Sequence, residues 1–416
     1  MSDQQAEQLV DHLFRHEYGK MVAVLSRFLG LSHLDAVEDI VQETFAQAVL
    51  TWRKSTLPEN PSAWLFKTAK RKAIDYVRKR KSDTDREINV ALSGPGLAYI
   101  EELFLETEIS DSQLRMIFAC CHPSLKPVDQ IALTLKIVSG FGLKEIANAL
   151  KITVETIKKR IQRARNSLKN DNIQLHIPTD HELKKRLDIV ELTIYLIFNE
   201  GYYATVGEAP IRRDLCYESM RLCKILVDHP QTKASTNQAL LALMCFHTGR
   251  IDSREDEEGN PILLDAQDRT TWDKQLIDVG RYHLHLASVE NGFTTSYHYE
   301  AAISAEHSTA PTFRDTNWNN ILEFYERLYI LKPTVQVLLN KIVVKIQLEH
   351  YQDALNELQE INPDNNRVLF HSIAAEIYSK QQKRDEAIEQ YDLAMSASPT
   401  PSELKLLSKK RKELLN

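Results

Sequence analysis

The chain is short of the residues that mark unusual folds. Twelve glycines and 14 prolines in 416 residues exclude collagenous and low-complexity sequence. The five cysteines, Cys120, Cys121, Cys216, Cys223 and Cys245, are odd in number and lack the paired spacing of a disulfide framework, which fits a reducing compartment. No window approaches a run of uncharged apolar residues of membrane-spanning length, and the start, Met1–Val10, is polar and acidic. The expectation is therefore a cytoplasmic protein with no membrane partner. Phosphate-cradling Gly loops, metal triads and nucleophile elbows are also missing. No catalytic residue, metal or cofactor is expected, and the chain is not read as an enzyme.

What is present is ordinary globular composition, with 43% apolar and 26% charged residues, and length for two to four domains. Apolar residues recur at helical spacing almost throughout and strand signals are scarce, so the fold class is all-α. The net charge of −6 conceals an asymmetry. Residues 1–177 hold 25 Lys and Arg against 22 Asp and Glu, whereas 178–416 hold 27 against 36. The positive charge is concentrated further, with eight basic residues against Asp75 in Lys67–Lys81 and seven against Glu155 in Lys151–Lys169. Two short, strongly basic helical segments in an acidic protein point to localised nucleic-acid contacts.

The expected organisation is a helical domain at 1–82 and a mobile linker at 83–110, carrying Ser93-Gly-Pro-Gly96 and an acidic run. A second small helical domain follows at 111–177. A helical extension at 178–330 and a repeat region at 331–416 complete the chain. Within the last, Ala375, Tyr378, Ala387, Tyr391, Ala394 and Pro399 match the small, aromatic and proline positions of a tetratricopeptide repeat, and Ala354 lies 33 residues before Ala387. Ser402–Asn416 reads as a charged capping helix.

In the second domain, Leu143–Leu150 is a short helix with Ile146, Ala147 and Leu150 on one face, followed by a turn at Lys151-Ile-Thr153. Thr153 is a good N-cap for a longer helix in which Val154, Ile157, Ile161, Ala164 and Leu168 form one buried stripe. Glu155, Thr156, Lys158, Lys159, Arg160 and Arg163 then face outward. This is a helix-turn-helix, whose second helix suits the major groove. Lys151 occupies a turn position often held by Gly, so a left-handed conformation there costs about 1 kcal/mol. In the first domain, Val41, Phe45, Ala48 and Trp52 make a core stripe that leaves Glu38, Asp39, Gln42 and Glu43 outside. A Pro-bounded loop, Ser55–Pro61, precedes Trp64–Lys81, where aromatic and basic side chains mix as they do where unstacked bases bind.

Glu38-Asp-Ile-Val-Gln-Glu-Thr-Phe45, Trp64-Leu-Phe with Ala73-Ile-Asp-Tyr-Val-Arg78, and the helix-turn-helix ending Arg163-Ala-Arg165 occur in the order, and at the spacing, of an extracytoplasmic-function RNA polymerase sigma factor. The chain resembles that family over residues 1 to about 170. Beyond this it resembles the subgroup with a long tetratricopeptide-like extension, by Cys120-Cys-His-Pro123, Phe198-Asn-Glu-Gly-Tyr202, Asp265-Ala-Gln-Asp-Arg269 and Trp272. The resemblance implies a partnership with core RNA polymerase through Asp39, Gln42 and Glu43, which sit where the family docks on the clamp coiled coil. It implies −10 contacts, including a single strand with an extruded base, from Asn60, Trp64, Lys67, Lys70, Arg71, Tyr76 and Arg78. Arg71 stands where many relatives carry Asn. It implies −35 contacts to double-stranded promoter DNA from Thr153, Thr156, Lys158, Lys159, Arg160 and Arg163. Two weak contacts on tethered domains then make a specific site through effective concentration. The acidic extension is expected to regulate the sigma domains in cis by an intramolecular contact, with a stabilising appendage or partner-docking module as the alternative. A helix-turn-helix regulator that never joins polymerase, with the repeats as a sensor, is the rival for the whole chain.

Other constellations have simpler readings. Cys120-Cys121-His122 lacks the C-x-x-C spacing of structural zinc sites and reads as core. Asn199, Glu200, Asp265, Asp268, Arg269 and Trp272 are the candidate functional residues of the extension. The last four suit a small ligand, the sigma domains, or an internal ion pair supporting a loop.

Overall fold

A computed structural model describes residues 3–54, 57–80, 102–202, 211–256, 262–289 and 295–415. Every regular element among them is helical. The chain divides into two compact units, one comprising residues 1–197 with 228–232, the other 198–227 with 233–416.

In the first unit, α1 (Asp3–Leu29), α2 (Leu34–Lys54) and α3 (Pro61–Arg80) form a bundle. Its core is the expected stripe of α2 closed by Met21, Val22 and Leu25 of α1 and by Leu65, Ala69, Ala73 and Val77 of α3, all buried. Most of the Ser55–Pro61 loop is described from Leu57 onward; Ser55 and Thr56, the last two residues of the expected first domain (81–82) and residues 83–101 of the expected linker lie outside the described residues. The helix α4 (Glu106–Cys120) begins inside the last residues assigned to that linker, and Leu103 just before it is buried. Burial explains the difference: an apolar Leu next to a helix that packs on α1 is structure, whatever the acidic residues around it.

Next come α5 (Pro127–Ile137), α6 (Leu143–Ala149) and α7 (Val154–Asn170). Ile157, Ile161, Ala164 and Leu168 are buried as the period requires, whereas Val154, in the first turn of the helix, is only half-buried, and Lys151 has φ 49° in the turn between α6 and α7. The unit does not stop at residue 177. Helix α8 (Asp180–Tyr202) runs on, and its Arg186 donates through Nη2 to the carbonyl of Phe118 at 2.7 Å, with Val190, Ile194 and Ile197 buried. Four turns of α8 therefore complete the core that the helix-turn-helix rests on.

Two glycines set how closely the α1–α3 bundle meets α5. A Cβ on Gly19 of α1 would lie 1.9 Å from the Val138 carbonyl oxygen, so only glycine permits the approach. Gly140, at φ +72°, sits with its notional Cβ 2.9 Å from the Tyr18 ring.

In the second unit, α10 (Ser235–Thr248) is buried on nearly all sides and is covered by α11 (Lys274–Val289) and α12 (Ser296–Thr309), after α9 (Arg213–Asp228). Its Ala239–Phe246 run is apolar on every face, and a helix of that kind belongs at the centre of a core. Then α13 (Trp318–Leu331) leads to two helical hairpins, α14 (Val335–Gln347) with α15 (Tyr351–Gln359) and α16 (Arg367–Lys380) with α17 (Arg384–Ser396), and to α18 (Pro401–Leu415). The hairpins turn through left-handed residues at equivalent places, Glu349 at φ 61° and Gln382 at φ 62°. Ala354 and Ala387, at matching positions of α15 and α17, are both fully buried.

Candidate nucleic-acid interface

The N-terminus of α7 is built by Thr153, whose hydroxyl accepts the Thr156 N–H at 3.2 Å, and whose Oγ1 lies 2.8 Å from that of Thr156. The cap satisfies an otherwise orphan donor and fixes where the helix starts. Lys158 and Lys159 project into solvent one turn later, and Arg160 is half-buried. Arg163, expected at the −35 duplex, also makes a contact within the protein. It forks onto Asp129 of α5, Nε to Oδ2 at 2.7 Å and Nη2 to Oδ1 at 2.5 Å, and the Asp129 carboxylate is buried. The hydrogen bond to Asp129 holds the guanidinium above its ordinary pKa. Arg163 thus ties α7 to α5 while half of its side chain stays open to solvent.

On α3, Asn60 spends its side-chain oxygen accepting the Ala63 N–H at 2.9 Å, as the cap of the helix. Trp64 packs edge-on against Trp52, with centroids 5.4 Å apart, so the indole is held by the core stripe. Lys67 and Arg71 are exposed. Lys70 lies 5.8 Å from the centroid of Phe104, whose ring meets Phe66 edge-on. Tyr76 approaches His33 Nδ1 at 3.4 Å, and Arg78 pairs loosely with Asp75 at 3.7 Å. Beside these, an open cavity of about 790 Å³ is lined by Asn60, Phe66, Lys67, Lys70, Phe104 and Glu17, among others. Aromatic edges rimmed by ammonium groups form a surface on which a flat, anionically tethered ring can stack.

Asp39, Gln42 and Glu43 share the exposed face of α2, with Glu43 paired to Lys72 at 3.0 Å. Glu38 is not with them. It is 5% exposed, accepts the Tyr18 hydroxyl at 2.8 Å, and pairs with Lys136 at 3.4 Å and with Arg165 of α7. Arg165 also pairs with Asp35, and Arg27 of α1 ties to Glu108 at 2.7 Å and Asp111 at 3.0 Å. Burial and the neighbouring Glu38 carboxylate raise the Tyr18 pKa, which keeps the phenol a donor. These bonds clasp the α1–α3 bundle to the helix-turn-helix. Sequence period carried the signal for Glu38, which lies three residues before Val41 on the core stripe itself.

The cysteine pair is core. Cys120 and Cys121 are buried, and burial pushes Cys121 up to about 11. Both thiols should therefore resist a water-soluble disulfide reagent until the protein unfolds, which a thiol titration with and without denaturant will read. In the extension no ion pair joins Asp265 or Asp268 to Arg269. Asp268 instead turns onto Thr270, accepting its N–H at 2.8 Å, because an Asx turn is closer to hand. Arg269 donates to the carbonyls of His307 and Ala310, and Trp272 is buried with Nε1 donating to Ser253 at 2.7 Å. Asn199 is half-buried near the end of α8, and Glu200 and Asp265 are exposed.

Comparison with known proteins accords with this geometry. Residues 13–82 match the family model for sigma-70 region 2, residues 115–168 that for sigma-70 region 4, and residues 186–288 a family of unknown function. An uncharacterized protein of Rhizobium meliloti is 29% identical over 384 residues, covering 89% of this chain and 88% of its own. The ECF RNA polymerase sigma factor SigW of Bacillus subtilis is 29% identical over 155 residues, 36% of this chain and 81% of its own. The ECF RNA polymerase sigma-E factor of Salmonella typhimurium is 29% identical over 177 residues, 40% of this chain and 87% of its own. No solved structure matches the chain. Over residues 13–168 the chain is thus similar to region 2 and region 4 of extracytoplasmic-function RNA polymerase sigma factors, and a long helical extension follows.

Proposed function

We propose that this chain binds core RNA polymerase in the cytoplasm and directs it to promoters, with Asp39, Gln42 and Glu43 docking on the clamp coiled coil. The observation that carries the reading is the presence of two cation-bearing helices, α3 and α7, one in each of the two domains that match sigma regions. Lys67, Lys70, Arg71 and the cavity beside Phe66 serve the −10 strand and its extruded base, and the extrusion cost of a few kcal/mol is offset by stacking there. Thr156, Lys158, Lys159 and Arg160 serve the −35 duplex.

The clasp gives this mechanism a required step. Elements roughly 25 base pairs apart lie about 85 Å apart at about 3.4 Å per pair. A compact unit of this size has a radius of gyration of about 16 Å, hence a diameter of roughly 40 Å. Both elements are reached only after Arg165 and Lys136 leave Glu38. Asp35 and Glu38 lie within one turn of Asp39, so polymerase docking on α2 competes with Arg165 for the same helix.

Run-off transcription with reconstituted core polymerase tests the reading, and absence of promoter-directed product, or of co-purification with polymerase, overturns it in favour of a free helix-turn-helix regulator. Lys159→Ala should reduce run-off severalfold and lower the slope of log affinity against log salt by about 0.9, with unchanged melting. For the extension, we propose regulation in cis, with the hairpins acting as tetratricopeptide-like repeats that contact the sigma domains. Its test compares the full chain with one ending after Ile197. Ending after Pro178 would strip Arg186, Val190 and Ile194 from the first unit and confuse loss of regulation with loss of folding.

A further inference from the structure

The second unit holds two arginines with no carboxylate in direct contact; Asp315 acts on Arg269 only through space. Arg250, just past the end of α10, is 7% exposed, and its Cζ lies 5.7 Å from the centroid of the Trp272 ring. Arg269 approaches the same ring, with Cζ at 4.7 Å. Among the described residues neither guanidinium has an Asp or Glu at ion-pair distance. Buried cations normally sit against a counter-charge, because desolvation is otherwise uncompensated.

Where the donors go makes the deficit specific. Arg269 Nη1 donates to the carbonyls of His307 at 2.6 Å and Ala310 at 2.7 Å, at the C-terminus of α12 where partial negative charge accumulates. Arg250 Nη2 lies 3.3 Å from His247 Nδ1. Arg250 Nε, Arg269 Nη2 and His307 Nδ1 remain buried with no partner, as do the hydroxyls of Thr248 and Ser308. Neither histidine supplies an anion, and burial together with Arg250 holds both well below their usual pKa, so they are neutral at pH 7. Two fixed positive charges and a surplus of donors therefore converge beside one indole.

We propose that Arg250, Arg269 and Trp272 form a binding site for the phosphate group of a small molecule. A phosphate carries close to two negative charges and three or more acceptor oxygens, and so matches two guanidinium groups. A carboxylate brings one charge and two oxygens, and would leave part of the cluster unanswered. The sequence marks the place through Asp265–Arg269 and Trp272, but gives no sign of Arg250, which comes from a different helix end.

Calorimetry and thermal melting of the full chain in sodium phosphate, against sodium chloride at matched ionic strength, test this. Saturable one-to-one binding of inorganic phosphate is expected, with a raised melting temperature. Phenyl phosphate, run in parallel, separates the sources: comparable binding identifies a phosphate ester, and exclusion identifies free phosphate. Arg250→Gln should weaken binding at least tenfold while leaving the phosphate-free melt cooperative, and Arg411→Gln, which removes a surface partner of Asp392, should leave binding unchanged. Absence of saturable binding by the native chain overturns the proposal, as does undiminished binding by Arg250→Gln. Acetate binding as tightly as phosphate overturns the choice of ligand. Should Arg250→Gln fail to fold, the imidazole signals of His247 and His307 in the native chain decide: shifts on adding phosphate support the site, and their absence removes it.

Discussion

Arg165→Ala should open the first unit. The substitution leaves Glu38 buried with Lys136 and Tyr18 but removes the cation that α7 contributes. Deleting one partner of a buried ion pair costs about 3–5 kcal/mol. Arg165 retains 20% side-chain exposure, so about 2–3 kcal/mol is the fitting range, a shift of roughly 30- to 150-fold toward the open form. Hydrogen exchange should accelerate where Gly19 meets Val138, and affinity of the free protein for promoter DNA should rise with the competent fraction, roughly tenfold or more. Asp35→Ala, which removes a partner that is 80% exposed, is the control and should do little. If exchange around Gly19 is the same in Arg165→Ala and the native chain, the clasp is not what holds the two sigma regions together. Because Glu38 is buried, moderate salt should not mimic the substitution, which separates this contact from surface pairs such as Arg15 with Glu145.

The second large effect belongs to Arg163, and it concerns stability more than DNA. Arg163→Ala strands the Asp129 carboxylate, 2% exposed, without its fork of two hydrogen bonds. The penalty is about 2–4 kcal/mol, somewhat under that of a wholly buried pair because the arginine itself is half in water. For a unit of about 200 residues this lowers the melting temperature by roughly 5–12 °C. Lys159→Ala should leave the melt unchanged while weakening DNA binding. A loss of −35 binding in Arg163→Ala with an unaltered melt would make Arg163 a DNA contact first and a brace second. The double variant with Asp129→Ala should recover part of the lost stability, since neither charge is then left unpaired.

Much of the architecture was legible because helices announce themselves by period and caps. The stripe of α7 from Ile157 onward, the Thr153 cap and the strained Lys151 turn all follow from local rules, and the structure has each of them. Charged residues that serve tertiary contacts were harder. Glu38 reads as exposed only if carboxylates are assumed to face water; its position on the Val41–Trp52 stripe marks it as inward. Arg163 and Arg165 differ by two residues on a basic helix, yet both are committed to acids on other elements, Asp129 and Glu38. Nothing in the local pattern names those partners, which lie 34 and 127 residues away. The same holds for Arg250, whose meeting with Trp272 is made by the packing of α10 and the 269–272 turn.

Helix α8 bears on how such a protein can be inherited. Its first turns roof the core beneath region 4: Thr193 lies near Gln130, and Arg186 holds the Phe118 carbonyl. A chain cut at the end of region 4 would open that roof to water and need different, more polar residues at Cys121 and Phe118. The added segment is thus no detachable cassette. Gene fusions or deletions at this seam should survive only when the surface under α8 is rewritten in the same event.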